Sequence, residues 1–115
     1  MNNPHIPRFN ATDLSIIFLG AYRLKSSDLV IDLFDENGIY RDNFHKLGGK
    51  ANLKLFFDSF FKEDFVFEST KIVHREDDAL VDFNLKFNED IFSGQILLNF
   101  NESNKVSLMW LNFNI

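Results

Sequence analysis

The residues of this chain best suited to moving a proton are Asp42, in "NGIYRDNF", and His74, in "KIVHRED". Residues 39–44 alternate like a half-buried strand, which turns the Asp42 carboxylate toward apolar walls. Such walls disfavour the charged form, so the expectation is a raised pKa and a general base. A plainer alternative is an acid near a rim, paired with Arg41, His45 or water. His74 falls on the apolar face at a strand end beside a turn, where it could complete an acid–base pair with Asp42. Its plainer reading is a partly exposed edge histidine. His45 precedes a glycine-rich turn and reads as a solvated loop residue. The three histidines show no H-x-x-x-H spacing, so no metal site is expected, and "LGGK" lacks the frame of a phosphate loop. Ser15 and Ser59 have no base at a useful spacing.

These candidates sit in a chain of 115 residues, enough for one core. Fifteen phenylalanines make that core bulky and aromatic. A formal charge of −5, with Lys and Arg scattered singly, argues against nucleic-acid and membrane-surface partners. The chain contains no cysteine, which excludes disulfides, thiolate nucleophiles and sulfur-ligated metals. "MNNPHIPRFN" is not patterned as a signal peptide, and the longest apolar run, "IIFL", is too short for a bilayer. A soluble cytoplasmic protein without a cofactor is the expectation.

Residues 1–9 read as an N-terminal arm and 10–115 as one domain. Asn10 caps a first helix, whose stripe is Leu14, Ile17, Phe18, Ala21 and Tyr22. "KSSD" ends it and opens a second helix through Ser26 or Ser27, with Leu29, Val30, Leu33 and Phe34 inside. "DENG" is a turn, 39–44 a short strand, and "LGG" a break. Leu53, Phe56, Phe57, Phe60 and Phe61 mark a third helix.

From Phe65 the apolar period drops to two, and polar clusters divide the rest into a four-strand antiparallel meander. One register gives a continuous apolar face. It sets His74 opposite Ala79, Ile72 opposite Val81, Thr70 opposite Phe83, Phe83 opposite Ile96, Ile96 opposite Met109 and Phe92 opposite Phe113. Gly94 then faces inward, as a bend or bulge would require. Leu97, Val106, Leu108 and Trp110 fall on the outer face, and a second copy of the chain is the expected cover for that patch.

"AYRLKSSDLVIDLFDENGIYRDN", then "GGKANLKLFFDSFF", then the meander, resemble the nuclear transport factor 2-like superfamily, which includes SnoaL-like polyketide cyclases and ketosteroid isomerase. The resemblance implies an α+β cone, three helices wrapped by a curved sheet, with an interior pocket and dimers through the outer sheet face. The implied pocket is lined by Phe18, Tyr22, Tyr40, Phe57, Phe83, Ile96, Met109 and Phe113, for a small apolar ligand. It places Asp42 at the isomerase's general base. The isomerase's two oxyanion donors, however, fall on Phe18 and Ile96, which have no donor. Each such donor is worth roughly 3 kcal/mol in the transition state, so steroid-type isomerisation is not expected. Tyr22, one turn from Phe18, could supply a hydroxyl at another height, or helix phase could equally bury it in plain packing.

Two functions follow. In the first, the chain is a SnoaL-like pocket protein for an apolar molecule, with Asp42 and His74 serving a lyase, cyclase or isomerase reaction. In the second, phenylalanines fill the cone and the chain is a non-catalytic homodimeric module that docks a protein.

Overall fold

A computed structural model describes residues 9–114. Nearly all of the expected N-terminal arm therefore lies outside the described residues. The chain forms helix α1 (Ala11–Arg23), helix α2 (Ser27–Leu33), strands β1 (Phe34–Arg41) and β2 (Lys46–Gly48), helix α3 (Lys50–Phe60), then strands β3 (Val66–His74), β4 (Asp78–Phe87), β5 (Asp90–Phe100) and β6 (Val106–Phe113). Both early caps are as expected. Asn10 Oδ1 accepts from Asp13 N at 2.8 Å, and Ser26 Oγ accepts from Leu29 N at 3.2 Å, each satisfying a donor that the helix leaves open.

All six strands join one mixed sheet in the order β2-β1-β6-β5-β4-β3. The four-strand meander is thus part of a larger sheet. β1 runs parallel to β6, and "LGG" is not only a break, because Lys46–Gly48 pairs antiparallel with β1. Phe34 opens β1 instead of closing α2. The "DENG" stretch lies within β1, where the register jumps between Phe34 and Ile39. α1 packs on β3, β4 and β5, and α3 on β1 and β2, so the helices share one sheet face. Phe18, Tyr22, Phe57, Phe83, Ile96 and Met109 are buried together between these layers.

Three local features correct the expected register. β4 turns into β5 through Asn88 and Glu89 alone, with Asn88 at φ 54°, so Phe83 pairs with Gly94 and Val81 with Ile96. The strand slips by two residues and keeps its inward face. A bulge at Thr70 moves Phe83 opposite Ser69 while leaving Ile72 opposite Val81 and His74 opposite Ala79. A second irregularity, at Ser107, sets Phe100 opposite Val106 but Asn99 opposite Leu108. An extra residue reverses which side a strand residue faces. Val106 is consequently buried in the core, which corrects its assignment to the outer face. Ile96 pairs with Leu111, and Gly94 with Phe113. Gly94 faces inward as expected, and the reason is close approach: a Cβ there would lie 2.2 Å from the Asn112 carbonyl oxygen.

Candidate functional site

Asp42 is the first residue of the turn between β1 and β2. Its N–H donates to the His45 carbonyl at 2.9 Å, and its side chain closes the turn from the other side. Oδ1 accepts from Phe44 N at 2.7 Å and from His45 N at 2.6 Å, while Oδ2 accepts the Tyr40 hydroxyl at 2.6 Å. His45 Nδ1 stands 3.1 Å from both oxygens. An aspartate that caps the backbone two and three residues on is a local preference of this side chain. Tyr40, two residues earlier in an alternating strand, lies on the same side by the same periodicity.

The carboxylate is only 7% exposed. Burial pushes its pKa up, but the hydrogen bonds from Tyr40, Phe44 and His45 together outweigh that and hold it below the ordinary value. The expected raised pKa is therefore corrected. Donors aimed at the charged form win over the apolar walls. A carboxylate stabilised this way is a weak base, and its acceptor sites are already engaged.

A second hydroxyl lies close enough to feel the Asp42 charge. Tyr22, on α1, is fully buried, and among the described residues its oxygen has no hydrogen-bond partner. Its ring packs against Phe57, Phe61 and Phe67 at centroid distances of 6.2, 5.2 and 4.9 Å. Burial, and then the charge of Asp42, raise the Tyr22 pKa far above its ordinary value. Tyr40 is raised by burial, by Tyr22, by its bond to Asp42 and by the charge of Asp42. Both phenols stay protonated at any physiological pH, so each keeps its O–H to donate and neither serves as a phenolate.

The expected pocket residues are brought together, but as packing. Phe18, Tyr22, Tyr40, Phe57, Phe83, Ile96 and Met109 are fully or almost fully buried and in mutual contact. Phe113 instead lines a hollow of about 280 Å³ at one end of the sheet, with Phe44, Phe60, Leu85, Phe87 and Phe92. Every lining residue there is apolar. Periodicity alone missed this hollow because four of its walls come from element ends and a loop. At the other end of the helices, Phe18 lines a hollow of about 330 Å³ with Phe9, Leu14, Val106 and the 103–105 turn. Asp42 lines neither.

His74 is exposed at the end of β3. Its ladder row runs through Ala79, Leu98 and Met109 to Tyr40, so four strand steps separate it from the Asp42 side of the sheet. The structure does not bring the two together. On the outer face Leu97 pairs with Trp110, and a shallow hollow there is lined by Leu80, Gln95, Leu97, Trp110 and Asn112. Trp110 is 38% exposed, and the Arg41 guanidinium lies 4.6 Å from its ring centroid. Leu108 shares this face beside Ile39. Among the described residues no group of three or more acidic or histidine side chains is placed to hold a metal. No helix among them is long and apolar enough to cross a membrane.

Neither a protein-family model nor a curated protein matches the chain. Solved structures do. A SnoaL-like protein of Burkholderia thailandensis aligns with a TM-score of 0.79 at 11% identity, over 91% of this chain and 94% of that one. A nuclear transport factor 2-like protein of Cytophaga hutchinsonii aligns at 0.77 and 13% identity, over 94% and 93%. SalBIII, an epoxide hydrolase/cyclase-like enzyme of pyran ring formation in the polyether salinomycin, aligns at 0.81 and 11%, over 91% of each chain. The architecture is the α+β fold of the nuclear transport factor 2-like and SnoaL-like proteins. Identities this low carry the fold and leave the activity open.

Proposed function

We propose that the protein binds a small, mostly apolar molecule in the hollow walled by Phe44, Phe60, Leu85, Phe87, Phe92 and Phe113, without using Asp42 as a base. The observation that carries this reading is the hollow itself: about 280 Å³ with no polar wall, near the lower end of ligand-sized cavities. Phe44, 75% exposed, is the wall most open to solvent, and the Asp42 turn holds it in place. Phe60 belongs to the hollow and also contacts the Tyr22 ring, at 6.4 Å between centroids. A ligand oxygen reaching past Phe60 would give the Tyr22 hydroxyl the partner that the interior withholds. The lining itself selects an apolar skeleton. One acceptor atom, such as a ketone oxygen, is proposed in addition for Tyr22, which lies behind Phe60 and does not line the hollow.

The likeness to SalBIII raises cyclisation as a possible reaction. Asp42, whose oxygens are held by Tyr40, Phe44 and His45, is poorly placed to exchange a proton in such a step. Outer-face dimerisation through Leu97, Leu108 and Trp110 accompanies this reading as a second proposal, supported by their grouping on one sheet face that no helix among the described residues covers.

Titrating acetophenone into protein with labelled methyl groups tests the binding proposal. Shifts at Leu85, lost in a Phe92→Asp variant, are expected. No shifts at millimolar ligand, or shifts centred on Leu80 and Leu97, would refute it.

A further inference from the structure

The sheet ends at β3, and among the described residues no strand covers its outer edge. Exposed edges are usually guarded against foreign strands by charges and bulges. β3 has both, Lys71 and the bulge at Thr70, yet their positions do more than guard. The segment "VFESTKIV", residues 66–73, matches its own reverse. Folded back antiparallel, it sets valine against valine, phenylalanine against isoleucine, glutamate against lysine and serine against threonine.

In a regular strand this register would fail. Residues 66 and 73 have opposite parity, so one would face the helices and the other solvent. The extra residue at Thr70 removes the conflict. Phe67 and Ile72 pair with Leu85 and Val81, which are buried on the helix side. Val66, Glu68, Lys71 and Val73 pair with Lys86, Asn84, Asp82 and Leu80, which all face outward. Like therefore meets like on each face only because the bulge is there. Val66 is 61% exposed and Val73 46%, so two apolar pairs are available for burial. Glu68 bonds Asn84 and Lys86 through Oε1, which leaves Oε2 for an incoming cation. Among the described residues Lys71 has no ion-pair partner.

We propose that two copies of the chain join at β3, antiparallel, with Val66 opposite the partner's Val73 and Glu68 opposite the partner's Lys71. The two sheets then continue into one. A second copy is favoured over any other strand because charge, size and face all complement under a single two-fold axis between Ser69 and Thr70. Eight paired residues form an interface at the small end of specific complexes, so the association is weak and concentration-dependent. It is independent of the Trp110 face and of the ligand hollow.

Sedimentation velocity across a concentration series, run on Trp110→Glu protein so that the outer face contributes nothing, tests the pairing. Lys71→Glu sets Glu against Glu68 twice per dimer, and should weaken association ~10-fold or more. The double change Glu68→Lys/Lys71→Glu restores opposite charges and should recover it. Register is read by cysteine pairs in this cysteine-free chain. Val66→Cys/Val73→Cys should cross-link between copies under mild oxidation, and either single variant should not. A monomer at all concentrations, failure of the charge swap to rescue, or cross-linking by the single variants would overturn the proposal.

Discussion

The Tyr40 hydroxyl donates to Asp42 Oδ2 at 2.6 Å, and this bond gives the most chemically suggestive residue of the chain a structural task. Tyr40 is buried beside Phe56 and Phe57, so the bond anchors the β1–β2 turn to the core. Asp42 then fixes the two residues that carry Phe44 and His45.

Replacing Asp42 with alanine should therefore cost stability. It strands the Tyr40 hydroxyl and two backbone N–H groups, and a loss of about 1–3 kcal/mol is expected by denaturant unfolding. A variant as stable as the parent would show that the turn does not depend on the carboxylate.

The pH dependence follows from the direction of the shift. The folded Asp42 pKa lies below its unfolded value of about 3.8, so its contribution is fully present above that value. It disappears as pH falls through the lower, folded pKa. Melting temperature measured from neutral pH down to strong acid should drop more steeply below pH ~4 in the parent than in Asp42→Ala. Parallel curves would count against the assignment.

Tyr22→Phe separates packing from binding. Removing a buried hydroxyl that lacks a partner should leave stability unchanged or raise it by about 1 kcal/mol. If the hydroxyl meets a ligand oxygen, the same variant should bind acetophenone more weakly. Unchanged affinity in a calorimetric titration would confine the ligand to the phenylalanine-walled hollow, short of Tyr22.

Glycine-to-alanine changes should have opposite signs at two positions. At Gly20, inside α1, an added Cβ meets nothing within 4 Å, and helix propensity favours alanine by roughly 0.5–1 kcal/mol. At Gly94 the same methyl group runs into the Asn112 carbonyl, so β5 and β6 must part. Thermal unfolding should show Gly20→Ala stabilised and Gly94→Ala destabilised.

Trp110→Glu should reduce the mass seen by light scattering if the outer face pairs. Arg41 already lies against one side of that ring, so the remaining apolar area is modest. An unchanged mass would count against pairing through the outer face.

Much of the fold was legible because it rests on periodicity. The Asn10 and Ser26 caps, the phenylalanine stripe of α3 and the inward faces of β4 and β5 all follow from spacing. What was not legible depends on single extra residues. Nothing in "KVSLMW" announces that Ser107 breaks the alternation, and so Val106 read as outward. The Asn88–Glu89 turn shifted pairings by two for a different reason: loop length sets hairpin register, and several lengths fit. At Asp42 the spacing named one neighbour, His45, but also Arg41, which instead lies over the Trp110 ring, and it did not name Tyr40. It could not weigh burial against hydrogen bonds, because that balance depends on where the backbone donors point.

The irregularity at Ser107 has a consequence for how this protein can change. It works like a frameshift within the strand, because residues on its two sides follow opposite inside–outside rules. Deleting that one serine would not merely shorten β6. It would set Val106 directly before Leu108, inward before outward, so β6 should accept the loss of Ser107 more readily than the insertion of a further residue, which would turn Val106 toward water.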